Sequence, residues 1–186
     1  MISTADFRNG LVVNLDNDLM EIVEFQHVKP GKGGAFVRTK FKNVLTGRVI
    51  EKTFRSGEKM EEVRLETETY QYLYHDGDLY HFMHKESFDQ LEVGENVVGD
   101  KHEWMKENTD IDLVFHKGKV IIVEVPNFVV LKITQCDPGV QGDRATGGTK
   151  PATLETGATV QVPLFVSEGT VIKVDTRTGQ YIERVG

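Results

Sequence analysis

Short runs of alternating apolar and polar residues, each closed by a turn signal, recur along the whole chain. A period of two builds half-buried strands and not helices. The runs Leu11–Leu15, Glu21–Phe25, Ala35–Phe41 and Arg48–Phe54 are rich in β-branched and aromatic residues, the types that fit a pleated surface. Asp16-Asn17-Asp18, Pro30-Gly31, Thr46-Gly47 and Ser56-Gly57 stand between or after them as turns. Strands this short within residues 1–64 suit a small SH3-like barrel. A second set follows at Glu68–Tyr74, Leu79–His84, Ile111–His116 and Val120–Val125. Within it, Asp100 and Glu103 read as a capping box that opens one helix through Trp104, Met105 and Lys106. A small barrel with one short helix is the outline of an OB-fold. The third set is Phe128–Thr134, Thr159–Val162, Val171–Asp175 and Tyr181–Val185, interrupted by a polar loop over Asp137–Pro151. The expected fold is therefore all-β: three small barrels in series over residues 1–64, 65–127 and 128–186.

Charge divides the chain along the same lines. Residues 1–64 hold 11 Lys and Arg against 9 Asp and Glu, residues 65–127 hold 5 against 14, and residues 128–186 hold 6 against 6. Between Phe25 and Lys59 nine cations (Lys29, Lys32, Arg38, Lys40, Lys42, Arg48, Lys52, Arg55 and Lys59) face only Glu51 and Glu58. A basic stretch on a chain of net charge −7 points to a polyanion met by one end of the molecule, while the acidic middle third avoids phosphate.

The stretch Lys29-Pro-Gly-Lys-Gly-Gly-Ala35 is the most unusual in the chain. Pro-Gly favours a tight type II turn, with positive φ at Gly31, which sets Lys32 at or beside a hairpin tip. Such a tip can push one amine into a narrow, phosphate-lined crevice, or it can serve solubility alone, and the residues by themselves leave both readings open. A P-loop is excluded, because Lys32 is followed by glycine and a strand where that motif needs Ser or Thr and a helix. Other chemistry finds little footing. The single cysteine, Cys136, rules out a disulfide framework and a Cys-rich zinc site. His81 and His84 lie three apart in a strand, on opposite faces, and no metal site is expected. There is no Gly-x-Ser-x-Gly elbow, and no catalytic residue is assigned. Tyr70, Tyr72, Tyr74, Tyr80 and Phe82 could stack bases as OB-folds do, but they alternate at strand period inside the acidic third, so core and rim packing is expected. No apolar run approaches the roughly 20 residues of a membrane span, and the N-terminus lacks the pattern of a signal peptide; a soluble, cytoplasmic protein is expected.

Two long motifs then point to one family. His27-Val-Lys-Pro-Gly-Lys-Gly-Gly-Ala-Phe36, continued by Asn43-Val-Leu-Thr-Gly-Arg48 and Glu51-Lys-Thr-Phe-Arg55, resembles the N-terminal domain of bacterial translation elongation factor P. Lys150-Pro-Ala-Thr-Leu-Glu-Thr-Gly157, Val160-Gln-Val-Pro163 and Val174-Asp-Thr176 resemble that family's C-terminal pattern, and Tyr72–Gly77 its middle segment. The resemblance implies an SH3-like (KOW-type) domain followed by two OB-fold domains in an elongated L.

It also implies a monomeric, non-enzymatic factor that binds both ribosomal subunits between the P and E sites and relieves stalling at consecutive prolines. Lys32, framed by Pro30, Gly31, Gly33 and Gly34, would reach the CCA end of the P-site peptidyl-tRNA. Lys29, Arg38, Lys40 and Lys42 would contact tRNA and rRNA phosphates. Gly142-Asp143-Arg144 aligns with a family Gly-Asp-Thr loop that contacts mRNA at the E-site codon, with Arg144 in place of Thr. Tyr181 and Arg184 would face the small subunit. No cofactor is implied beyond a covalent extension on Lys32 added by modifying enzymes; lysine at that position excludes the arginine-linked type.

Overall fold

The computed structural model describes residues 1–139 and 148–186. Three antiparallel sheets carry the described chain, so the all-β expectation holds. The chain falls into two compact units, Met1–Glu66 with His116–Lys119, and Thr67–Phe115 with Val120–Gly186.

The first sheet contains β1 (Ile2–Ser3), β2 (Val12–Leu15), β3 (Asp18–Val28), β4 (Phe36–Asn43), β5 (Val49–Arg55) and β6 (Lys59–Glu62), in the order β1-β6-β2-β3-β4-β5. β4 shows why the alternation is so regular: Val37, Thr39 and Phe41 are buried while Arg38, Lys40 and Lys42 are exposed. Phe41 meets Phe54 edge to face at 5.9 Å, and Phe54 meets Phe7 at 6.0 Å, an arrangement that aromatic quadrupoles favour. β1 and β6 are too short to show a period, and they pair with each other through Ile2 and Met60. Between β1 and β2 one 3-10 turn, Thr4–Asp6, carries a capping box in which Ser3 N–H donates to Asp6 Oδ2 at 2.8 Å.

In the second unit, β7 (Glu66–Asp76), β8 (Leu79–His84), β9 (Gln90–Gly94), β10 (Asp110–His116) and β11 (Lys119–Glu124) form a sheet ordered β11-β10-β7-β8-β9. Tyr70, Tyr72, Tyr80 and Phe82 lie in its core with Ile111, Leu113 and Val123; of the five aromatics weighed as base stackers, only Tyr74 is exposed. The expected helix differs. α1 spans Glu95–Val98, and a 3-10 segment runs Gly99–Trp104. Asp100 does not open the helix: it lies inside the 3-10 segment, whose cap position falls at Val98 and carries no side-chain cap hydrogen bond, since valine has no side-chain oxygen to accept one.

β12 (Phe128–Cys136), β13 (Thr149–Leu154), β14 (Thr159–Pro163), β15 (Val171–Asp175) and β16 (Gln180–Arg184) form the third sheet, ordered β14-β13-β12-β15-β16. The loop expected to run to Pro151 ends sooner, since β13 begins at Thr149. Pro151 is tolerated there because β12 pairs with β13 only as far as Ala152, leaving one side of Pro151 without a ladder bond to make. Leu131, Ile133, Leu154, Val162, Ile172 and Val174 fill this core.

Two consequences are measurable. Phe41 is fully buried, so Phe41→Ala should cost about 3–5 kcal/mol in urea unfolding, whereas a loss under about 1 kcal/mol would refute its place in the core. At the β15–β16 turn, Asp175 accepts Arg177 Nε at 3.1 Å, Nη2 at 2.9 Å and the Arg177 backbone N–H at 2.9 Å. The side-chain hydrogen bonds from Arg177 hold its carboxyl below the usual carboxylate range. The native state therefore binds fewer protons there than the unfolded chain, and the resulting stability is complete above the ordinary carboxylate value and lost as pH falls through the lowered one. Arg177→Ala should move acid unfolding to higher pH; an unchanged midpoint in a circular-dichroism titration would contradict this.

Candidate functional site

The site is built on the β3–β4 hairpin. Its ladder runs from Met20 opposite Asn43 to Val28 opposite Phe36, and residues 29–35 connect the two strands. Lys29, Pro30, Gly31, Lys32, Gly33 and Gly34 are all exposed. The turn is not the type II reversal that Pro30-Gly31 suggests. Positive φ falls at Gly33, +109°, and not at Gly31, so the longer connection places the left-handed residue after Lys32. Space around the loop is open: a Cβ at Gly31, Gly33 or Gly34 would meet no heavy atom within 4 Å. Lys32 thus stands on a bare apex.

The cations below the apex are of two kinds. Arg38 Nε lies 3.7 Å from Glu51, and Lys40 Nζ lies 3.1 Å from Glu24. Lys52 is similarly matched with Asp16 at 3.6 Å. Among the described residues no carboxylate lies within ion-pair distance of Lys29, Lys32 or Lys42. The basic stretch is therefore partly neutralised, and two of the neutralising groups, Glu24 and Asp16, lie outside it in sequence. Cross-strand register puts Glu24 directly opposite Lys40, which a count along the chain cannot register.

Elsewhere the chemistry is structural. The Tyr72 hydroxyl is pushed up to about 12 by burial, with Tyr80 and Glu107 adding to the shift. Burial likewise raises Tyr70 and Tyr80. These phenols stay neutral across the physiological range. In the same unit Tyr72, His75, Tyr80, His102 and Lys106 line a polar cleft, where His75 stacks on Tyr80 at 4.2 Å and Lys106 pairs with Glu155 at 3.3 Å. Gly142, Asp143 and Arg144 lie outside the described residues. Tyr181 packs, half-buried, against the third core, while Arg184 is exposed and holds its guanidinium 5.2 Å from the Phe165 ring centroid. Sequence reading passed over Phe165, because its neighbours Val162 and Val166 are core residues and one more apolar residue beside them carries no signal of exposure.

A basic β-hairpin in the first of three small antiparallel sheets is an arrangement with counterparts among known proteins. Residues 3–60 match the elongation factor P (EF-P) KOW-like domain, residues 65–123 the elongation factor P (EF-P) OB domain, and residues 129–184 the elongation factor P C-terminal domain. Elongation factor P of Acetivibrio thermocellus is 54% identical over 185 residues, covering 100% of both chains. That of Natranaerobius thermophilus is also 54% identical, covering 100% of this chain and 98% of the relative. The chain belongs to the elongation factor P family of translation elongation factors. Among solved structures, the eukaryotic translation initiation factor 5A from Methanococcus jannaschii matches with TM-score 0.52 and 22% identity, over 66% of this chain and 94% of that one. A translation initiation factor eIF-5A family protein from Naegleria fowleri matches with TM-score 0.52 and 15% identity, over 67% and 96%. Both likenesses concern the fold alone.

The ion pairs make a specific prediction. Glu24→Gln frees Lys40, so the variant should bind immobilised heparin or RNA more tightly and elute at higher salt than native protein, since each freed cation can displace a further counterion. Stability should change by less than about 1 kcal/mol, as expected for an exposed pair. Elution at the native salt concentration would show that Lys40 takes no part in polyanion contact.

Proposed function

We propose that this factor binds the ribosome between the P and E sites and speeds peptide bond formation at consecutive prolines by placing Lys32 against the CCA end of the P-site peptidyl-tRNA. The observation that carries this reading is the bare apex: one lysine, exposed and flanked by Gly31 and Gly33, at the end of a two-stranded ladder. A crevice lined by phosphates admits a single amine on such a finger and repels bulk around it. Lys29 and Lys42, with Arg38 and Lys40 when released by their glutamates, contact tRNA and rRNA phosphates; such contacts orient without reading sequence. The acidic residues 65–127 stay away from the phosphate backbone. Tyr181 and Arg184 face the small subunit, and Gly142, Asp143 and Arg144 meet mRNA at the E-site codon.

Proline is a conformationally restricted donor and acceptor, so a nascent Pro-Pro chain misplaces the reacting ester. Holding the tRNA end recovers proximity and orientation, which can supply several kcal/mol without an acid or base. Bond formation itself stays with the ribosome, and Lys32 acts as a positioning residue. An exposed apex is also open to a modifying enzyme, and a covalent extension on Nζ adds reach and hydrogen-bond donors.

The test is Pro-Pro-Pro peptide formation in a reconstituted translation system, with native protein, Lys32→Ala and no factor. The native factor should accelerate the reaction and the variant should not, while both unfold at the same urea concentration, because Lys32 is exposed and its side chain makes no hydrogen bond or ion pair among the described residues. Native-like acceleration by Lys32→Ala would end the proposal.

A further inference from the structure

Four cation–ring contacts occur among the described residues, and three of them are electrostatically closed. Lys52 lies 5.6 Å from the Phe54 centroid but is matched with Asp16 at 3.6 Å. Lys173 and Arg177 lie 5.1 Å and 5.4 Å from Phe128, yet Lys173 pairs with Glu183 at 3.8 Å and Arg177 with Asp175 at 2.9 Å. Arg184, over Phe165, has no carboxylate within ion-pair distance among the described residues. Among those residues its charge meets only the ring.

The Phe165 ring is also held outward by its surroundings. It is 65% exposed, while Val166 beside it is 1% exposed. Val166 N–H donates to the Pro163 carbonyl at 3.1 Å, closing the turn. The turn is pressed onto the segment after β12: a Cβ at Gly139 would lie 2.3 Å from the Leu164 carbonyl oxygen, and Cys136 Sγ contacts the Val166 carbonyl at 3.6 Å. Lys150, 7% exposed, fastens that segment by donating from Nζ to the Asp137 carbonyl at 2.7 Å. With its anchor points fixed, the turn cannot fold the ring inward.

An exposed aromatic under an unneutralised guanidinium is the combination that takes a nucleobase on the ring and a phosphate on the charge. A protein partner fits less well. The residues that follow, Ser167 and Glu168, are polar and exposed, and Ile182 and Val185, the exposed apolar residues next to Arg184 in the chain, are each more than half covered, which falls short of the broad patch that protein interfaces use. We infer that Phe165 and Arg184 form a stacking platform for an unpaired RNA base. The inference deepens the reading of Arg184 given above and rests on it only for the source of the RNA, the ribosomal complex.

The probe is a short single-stranded ribo-oligonucleotide containing 2-aminopurine, whose fluorescence falls when the base stacks. It is titrated with full-length protein at low salt. Native protein should quench it. Phe165→Ala should weaken binding about tenfold or more, the usual loss for a base-stacking aromatic, and Phe165→Trp should restore it. Arg184→Gln should lower the slope of log affinity against log salt by about 0.7. No quenching by native protein, or the same curve for native and Phe165→Ala, would overturn the platform. On ribosomes, a photo-crosslinking side chain in place of Phe165 should join to RNA; joining to protein alone would overturn it as well. Peptide formation and base stacking are read in separate assays, so the two proposals fail separately. Equal curves at Phe165 with the Lys32 effect intact remove the platform, whereas a dispensable Lys32 with quenching intact removes only the tip mechanism.

Discussion

Burial of one face of β4 is the constraint on which the rest depends. Val37, Thr39 and Phe41 are sequestered, and because side chains alternate with a period of two, a one-residue slip would send them to solvent and drive Arg38, Lys40 and Lys42 inward. That prospect locks the register of the β3–β4 ladder. The locked register puts Glu24 opposite Lys40 and Glu21 opposite Lys42, and ends the ladder at Val28 and Phe36, from which the connection bearing Lys32 springs. Position, charge and reach of the tip are thus all consequences of packing Phe41 and Val37 into a core with Ile22 and Phe54.

Charge then sorts the surfaces. In the first unit, three of the cations that look free along the chain are held by carboxylates across the sheet or beyond it, so among the described residues unmatched positive charge concentrates on the apex and a few side chains near it. Exposed pairs of this kind contribute little to stability, which makes them easy to exchange for phosphates. In the third sheet the logic is reversed: Asp175 fully engages Arg177, Glu183 engages Lys173, and among the described residues Arg184 meets only an aromatic ring.

Much of this was legible in the sequence. Sheets whose strands keep one face wet announce themselves by alternation, and the aromatics at Tyr70, Tyr72, Tyr80 and Phe82 were readable as core for that reason. The exposure of Lys32 between β3 and β4 was readable because glycine and proline crowd around it. What escaped depended on partners distant in sequence. Glu24 and Asp16 quench charges that a window sees as free. β13 lies where Pro151 argues against a strand, and only the early end of its pairing with β12 makes proline acceptable. The Asp100–Glu103 spacing suggested a cap, but both residues lie inside the 3-10 segment that begins at Gly99, which leaves that spacing unused. The working box, Ser3 to Asp6, opens a turn too short to show any period. Pro30-Gly31 suggested its own reversal, whereas the left-handed residue is Gly33.

Positioning by Lys32 is the central claim, and the temperature dependence of Pro-Pro bond formation, with and without the factor and at several pH values, tests it most directly. Positioning predicts a higher activation entropy in the presence of the factor, an activation enthalpy nearly unchanged, and no new ionisation in the pH–rate profile. A lowered activation enthalpy together with a new ionisation that disappears in Lys32→Ala would contradict it, because those are the marks of a proton-transfer catalyst.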